Sequence, residues 1–253
     1  MEIGQDVAKQ ASKSKSDGKA KSGGRARPRF RPGYWLFRIA LRLLVVFVAV
    51  TTLLVVLFRF VNPPITHTMW VDYGLYGPLD RQWVPMEQIA PVMARAAVAA
   101  EDADFCEHWG FDVEAIKAAM EDGGRRGGST ISQQVAKNVF LWQGRSWTRK
   151  ALETVITMMI ETAWPKRRII EVYLNVAETG RGVFGVQAAA QRYFGVSAAE
   201  LSPMQAARIA VILPSPKTRD PANLSPALRQ RAAGIADGAA TIRADGRAAC
   251  FED

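Results

Sequence analysis

Apolar and polar positions change rhythm along the chain. Residues 1–30 are dominated by Lys, Ser, Gly and Arg with very few large apolar side chains. Such a stretch cannot bury enough surface to fold, and it predicts a basic, disordered tail over 1–34. The run from Leu43 to Phe58 then carries no charge over sixteen residues. As a helix it covers about 24 Å, short of the ~30 Å hydrocarbon core of a bilayer. The predicted span therefore extends over 35–61. Arg42 and Arg59 would reach back to the interfaces, and Tyr34 and Trp35 would sit at headgroup level. A cleaved signal peptide is the competing reading. The length of the run and the absence of a small-x-small site before Asn62-Pro63-Pro64 argue against it.

After the span the rhythm becomes helical. Residues 65–85 hold several turn formers and predict a short strand or extended arm. From Pro85 onward Ile89, Val92, Met93, Ala96, Ala97 and Ala100 recur at three- and four-residue spacing. Asp112 predicts an N-cap for 113–120, and Gly123-Gly124 its terminator. Ser129 or Thr130 caps a helix to Leu141. Ser146 opens another through Thr162, and Pro165 starts one to Asn175. Further helices fit 185–194, 203–213 and 226–244. No repeat or alternating strand series is visible, so the fold class is mainly α, with one domain over 65–245.

Charge sharpens this division. Of the net +9, residues 1–42 account for +8 and the remaining 211 residues for only +1. A nucleic-acid-binding domain keeps its basic excess on the folded part, so no nucleic-acid partner is expected. The positive-inside rule leaves the tail in the cytoplasm and places 62–253 outside. Two cysteines, Cys106 and Cys250, exclude a disulfide framework, and with His67 and His108 they leave little for a zinc site. Both cysteines would lie where a disulfide is permitted; the expectation is two free thiols. Two Ser-x-x-Lys matches, at Ser12–Lys15 and Ser16–Lys19, lie in the tail without a Lys-Thr-Gly partner and read as chance.

Four clusters carry candidate chemistry. Glu101-Asp102-Ala103-Asp104-Phe105-Cys106-Glu107-His108-Trp109-Gly110 ends an Ala-rich helix. A carboxylate at a helix C-terminus, near other acids and buried, has a raised pKa and makes a better general base. The bland reading is a solvated acidic loop. Gly127-Gly128-Ser129-Thr130 resembles an anion cradle at a helix start. Behind it Thr130, Gln134, Lys137 and Asn138 form a polar stripe opposite Ile131, Val135, Val139 and Trp142, which also fits an ordinary amphipathic helix. Arg149 and Glu153 stand four apart, a spacing that by itself favours an intrahelical ion pair worth a few tenths of a kcal/mol. Lys166-Arg167-Arg168 opens the helix that ends in Tyr173-Leu174-Asn175, and its bland reading is plain packing.

Taken in order, these clusters resemble the peptidoglycan glycosyltransferase family found in class A penicillin-binding proteins. The matching motifs are Glu-Asp-x-x-Phe-x-x-His-x-Gly, Gly-Gly-Ser-Thr-Ile-Ser-Gln-Gln-x-x-Lys-Asn, Arg-Lys-x-x-Glu and a Tyr-Leu-Asn helix, all between Glu101 and Asn175. A fifth stretch, Gly182 to Gly195, also matches, and the likeness covers about residues 70–220. With one anchor and nothing recognisable after ~245 it looks like the monofunctional form. Asp104, Pro165 and Gln205 depart from the family pattern, and Asp104 would add negative charge beside Glu101.

The resemblance implies a lysozyme-like helical fold and polymerisation of lipid II into β-1,4-linked glycan strands at the cell inner membrane, the catalytic domain being periplasmic. It implies Glu101 and Glu153 as catalytic residues. It implies substrate binding by Asp102, Phe105, His108, Gly128, Ser129, Thr130, Gln133, Gln134, Lys137, Asn138, Arg149 and Lys150. No covalent cofactor is expected; Glu153 would either order the cations Lys137, Arg149 and Lys150 or hold a divalent cation, Mg2+ or Mn2+. Expected partners are lipid II, the nascent glycan strand, membrane lipid and proteins of cell-wall synthesis or division. Phe140-Leu141-Trp142 and Trp147 would form a lobe dipping into the outer leaflet. A lytic transglycosylase would share the Glu acid/base but needs no diphosphate pocket, so the cations count against it. A non-enzymatic division scaffold would tolerate loss of Glu101. Deleting residues 1–30 should leave the domain folded and active on lipid II in detergent. A gel assay of labelled lipid II checks this, and a large loss would show that the tail supports the core.

Overall fold

The computed structural model describes residues 32–121, 128–144 and 146–252. The tail, the Gly123-Gly124 terminator and Arg125 to Gly127 of the second cluster lie outside them. Two units are distinguished, 1–44 and 45–253. In the first, the described residues form the beginning of helix α1 (Pro32–Phe60), where the Arg38 guanidinium lies over the Tyr34 ring. This helix is long and apolar enough to cross a membrane, and nearly all of its large side chains are exposed, unlike those of a core helix.

The second unit begins with the rest of α1. Its last turn is held by the following domain. The Trp164 indole donates to Val55 O at 2.7 Å, and Arg59 donates to Ala163 O at 2.6 Å. Arg168 donates to Phe58 O at 3.0 Å and to Val61 O at 3.1 Å. A helix leaves its last four carbonyls without partners, and cations at that end also meet the favourable pole of its dipole. The basic start of the Lys166 helix is thus partly a cap for the anchor, beyond the plain packing that its pattern suggested.

Residues 65–85 do not form a strand-like arm. Helix α2 (His67–Tyr76) occupies most of the stretch, its first turn closed by Thr66 Oγ1, which accepts from Met69 N. Strand β1 is only Asp80–Arg81. The helical rhythm here was hidden because α2 exposes most of its apolar residues, including Trp70, Val71, Tyr73, Leu75 and Tyr76.

The remaining elements follow the sequence pattern closely. They are α3 (Pro91–Glu101), α4 (Val113–Glu121), α5 (Ile131–Phe140), α6 (Trp147–Ala163), α7 (Lys166–Val176), α8 (Val186–Phe194), α9 (Pro203–Ala210) and α10 (Pro226–Ala244). Asp112 Oδ1 accepts from Ala115 N and Ser146 Oγ from Arg149 N, the caps expected of them. Strands β2 (Glu178–Gly180) and β3 (Val183–Phe184) join β1 in a sheet of order β1-β3-β2, parallel between β1 and β3 and antiparallel between β2 and β3. Runs this short carry no alternation to detect.

Helix α10 lies against α3 and α9, and α5 lies against α6 and α7. The first group packs closely because α3 presents Ala94, Ala96 and Ala97, all fully buried. A Cβ at Gly238 of α10 would stand 3.3 Å from Ala99 Cβ. Asn175 Oδ1 accepts from Val84 N, and its amide donates to Val84 O and Glu171 O. The Asn of the Tyr-Leu-Asn motif thus ties β1's approach to α7.

Cys106 and Cys250 are joined in a disulfide, which corrects the expectation of free thiols. Sequence separation concealed the pairing, because only the return of the chain beyond α10 brings Cys250 to the loop after α3. Phe105 and Phe251 pack with ring centroids 6.2 Å apart, and Arg247 donates to Ala103 O at 3.2 Å. Arg247 also pairs with Asp104 at 3.3 Å, a cation that Asp104 shares with Asp245. Closing so long a loop stabilises a fold by about 2–5 kcal/mol. Replacing both cysteines by serine should lower the thermal midpoint by on the order of 10 °C. Differential scanning fluorimetry of the full chain in detergent measures this, and an unchanged midpoint would show that the crosslink constrains nothing.

Candidate active site

Glu101 is the last residue of α3, so its carboxyl faces the negative end of that helix dipole. Asp102 is the cap residue behind it. Its carboxylate is buried, with Oδ1 2.7 Å from His108 Nε2 and Oδ2 accepting from Ile131 N at 2.8 Å. The end of α3 is thereby tied to the start of α5. Gly110 permits this approach. Its φ is +80°, and a Cβ there would fall 2.8 Å from Thr157 Cγ2. Only glycine meets both conditions cheaply.

Thr130 caps α5 in a capping box with Gln133, and its hydroxyl donates to Gly110 O at 2.7 Å. One turn on, Gln134 Nε2 donates to Glu101 Oε2 at 2.8 Å, and Gln134 Oε1 accepts from the Tyr173 hydroxyl at 3.4 Å. Burial raises the Glu101 carboxyl above its ordinary range. The Gln134 hydrogen bond and the charges of Arg231 and Lys137 oppose that rise, while Asp102 adds to it.

Two cavities meet this carboxylate and its amide. A cleft of about 660 Å3 is lined by Glu101, Asp104, Asp112, Glu114, Gly128, Ser129 and Thr130 among others. A smaller cavity of about 200 Å3 is lined by Gln134, Lys137, Asn138, Gln143, Thr68, Tyr173 and Glu178, with Phe184, Leu213, Pro214 and Pro216 as its apolar side. Burial lowers the Lys137 ammonium below its ordinary range, and Arg149 and Lys150 lower it further, whereas Glu153 and Glu101 hold it up. These charges therefore lie within reach of one another.

Arg149 and Glu153 do pair, as their spacing suggested, but not as an exposed helix pair. Glu153 is buried, with one carboxylate oxygen on Arg149 and the other on Lys150. Arg149 Nε also donates to Gly144 O at 2.7 Å. With both oxygens of Glu153 engaged by cations, the donor set does not fit a divalent ion there. Among the described residues no group of three or more His, Cys, Asp or Glu side chains is arranged to hold a metal.

The expected substrate contacts divide into two groups. Gln134, Lys137 and Asn138 face the small cavity, Gly128 and Ser129 the larger cleft, and Arg149 and Lys150 a shallower surface beside Trp147. Phe105 is fully buried, with the Lys166 ammonium 4.5 Å from its ring centroid. Gln133 is buried in the capping box. Asp102 and Thr130 spend their side-chain polar atoms on internal partners, and His108 Nε2 lies on Asp102. In this structure those five side chains brace the site. Trp142 lies beyond the end of α5, outside its apolar stripe, and Leu141 is buried.

A family profile described as Transglycosylase matches residues 72–240. The chain belongs to the transglycosylase family. Among curated relatives, it is 58% identical over 197 residues to a protein of Jannaschia sp. (strain CCS1), covering 78% of this chain and 82% of the relative. It is 51% identical over 222 residues to one of Caulobacter vibrioides, covering 85% and 96%. It is 50% identical over 211 residues to one of Pseudomonas aeruginosa, covering 79% and 90%. All three relatives are named biosynthetic peptidoglycan transglycosylase.

Sequence reasoning did not single out Tyr173, Glu178, Asp72 or Lys217 as site residues. Tyr173 stood in a quoted motif but read as packing, and nothing local marks Lys217. If Gln134 holds the ionised form of Glu101, Gln134→Ala must raise the Glu101 titration midpoint, since losing a donor to the charged form favours the neutral one. Carbon-detected NMR titration of the two proteins tests this, and an unmoved midpoint would show that the contact carries no electrostatic weight.

Proposed function

We propose that this chain is a peptidoglycan glycosyltransferase that polymerises lipid II into β-1,4-linked glycan strands and releases undecaprenyl diphosphate. The observation that carries the reading is the pairing of a buried, amide-held carboxylate, Glu101, with a neighbouring set of cations, Lys137, Arg149 and Lys150. Family membership and the relatives' names support it. Glu101 takes the proton from the C4 hydroxyl of the acceptor's GlcNAc. The freed oxygen pair forms a bond to C1 of the donor's MurNAc, and the C1–O bond to the diphosphate breaks with its electrons leaving on the diphosphate. One displacement inverts the α-linked donor to a β bond.

The developing charge on the diphosphate needs fixed cations already in place. Glu153 supplies that order, because it holds Arg149 and Lys150 together without itself facing the cavity. Gln134 and Asn138 provide hydrogen bonds for sugar and phosphate oxygens. Glycan cleavage by a lytic enzyme gives this cation set no task. Incubation with lipid II and with finished sacculi separates the two activities.

The lipid substrate accounts for the anchor. In this reading α1 is a single-pass anchor and the catalytic domain is periplasmic; the length and apolar character of α1 and the Cys106–Cys250 disulfide support it. Trp147 is 91% exposed, and α2 exposes Trp70, Leu75 and Tyr73; these side chains suit the outer leaflet interface. Phe140 and Leu141, by contrast, pack inward, Phe140 against Phe58 at 5.9 Å.

Two variants test the assignment. Glu101→Gln should cut polymerisation by ~10²–10⁴ while lipid II still binds. Glu153→Gln should impair turnover, weaken lipid II binding and lower thermal stability, because it leaves buried cations with less compensation. Rates, lipid II affinity and circular dichroism on both proteins decide the matter. A folded Glu101→Gln enzyme with near-normal polymerisation would end the proposed mechanism.

A further inference from the structure

Glu178 stands in β2, directly after α7, on the wall of the small cavity that also carries Lys137 and Asn138. Lys217 Nζ lies 3.2 Å from Glu178 Oε1, out of hydrogen-bonding alignment, and 2.9 Å from Asp72 Oδ1. Asp72 is fully buried in α2. One ammonium therefore serves two carboxylates that come from separate elements.

A carboxylate is an awkward wall for a cavity that admits a sugar diphosphate. It repels the ligand unless it is neutralised or faces an uncharged part of it. The lining also holds the apolar side chains of Phe184, Leu213 and Pro214. A cavity of about 200 Å3 that combines amides, a carboxyl and apolar surface suits a pyranose bearing an N-acetyl group. The ring's hydroxyls would meet the polar groups and its C–H face the apolar ones. We propose that Glu178, set in place by Lys217 and Asp72, is a further specificity-determining residue that contacts a hydroxyl or amide of the substrate's N-acetylhexosamine. This rests on the lipid II reading given above.

The electrostatics agree with that placement. Burial raises the Glu178 carboxyl to about 7; Lys217 works against the rise and Asp72 with it. Below that pH the neutral acid donates a hydrogen bond to the sugar. Above it the ionised form adds a negative charge to the cavity that takes the diphosphate. Lipid II binding should therefore weaken as pH rises through 7. The other titratable groups facing this region are Asp72 from α2, Lys217 from the segment after α9, Lys137 from α5 and Tyr173 from α7. Loss of charge from Lys137 would weaken binding in the same direction, so the pH trend alone is not diagnostic.

Substitution at Glu178 isolates its share. Lipid II affinity is measured on the full chain in detergent, in a Glu101→Gln background so that substrate is not consumed, from about pH 6 to about pH 8.5. Adding Glu178→Gln, which is permanently neutral and still a donor, should keep tight binding and flatten the loss at high pH. Adding Glu178→Ala should weaken binding on the order of tenfold at the low end, where the hydrogen bond is otherwise made. Glu178→Gln with the parent's full pH slope, or Glu178→Ala with the parent's affinity at low pH, would overturn the proposal while leaving the lipid II reading intact. A parent that binds no lipid II at any pH would overturn both.

Discussion

The Asp102 carboxylate is the constraint on which the site depends. It sits between two helices that meet end to start, and it bonds the first backbone N–H of α5 while its other oxygen holds His108. An anion at a helix N-terminus is stabilised by the dipole and by the free N–H groups there. The same carboxylate is one residue from Glu101. Fixing Asp102 on Ile131 therefore fixes how far Glu101 stands from Gln134, one turn into α5. Gln134's bond to Glu101 and Thr130's bond to Gly110 join the same two segments beside it. Phe105, Gly110, Thr130 and the disulfide all act on the same short segment, and each limits its freedom to move.

This explains why so much of the motif chemistry is scaffolding. The family pattern names residues by their joint presence, and a pattern cannot distinguish a side chain that touches ligand from one that holds its neighbour. The resemblance implies Thr130 and Gln133 as substrate-binding residues, while the sequence also offers Thr130 as a helix cap. In the fold they close a capping box, whose signature, Thr followed three residues later by Gln, stands in the sequence. The helices were legible because α3, α5, α6, α7 and α10 bury one face and begin at a capping side chain or a proline. Helix α2 was not, because its apolar side chains stay exposed and dilute the period. The disulfide and the Asp72–Lys217–Glu178 contact were not legible either. Each joins residues far apart in sequence, and no local preference encodes such a meeting.

In the proposed reaction the site would solve two opposed problems in one small volume. A general base must be basic, and Glu101 is buried at a helix C-terminus. A leaving diphosphate calls for nearby cations, and cations pull a carboxyl back toward its acidic range. Gln134 and Lys137 both work in that second direction on Glu101, yet burial prevails. Glu153 relieves the conflict from the other side. By taking Arg149 and Lys150 onto its two oxygens it lets a dense positive patch exist without a ligand, and it does so on the helix that lies next to α5 rather than on α3.

The coupling of α1 to the domain extends this argument to the membrane. A flexible linker would let the site sample many heights above the bilayer, and each height would carry an entropic cost before a lipid-bound substrate could be met. Here the last turn of α1 is instead capped by Arg168 of α7, and one turn earlier Val55 O accepts from the indole of Trp164, the residue after α6. Helices α6 and α7 are also the ones that pack on α5, which carries Lys137. Hydrogen bonds from the end of α1 thus reach the two helices that pack on α5. In the proposed reaction that continuity would limit how far Lys137 stands from a lipid-borne diphosphate.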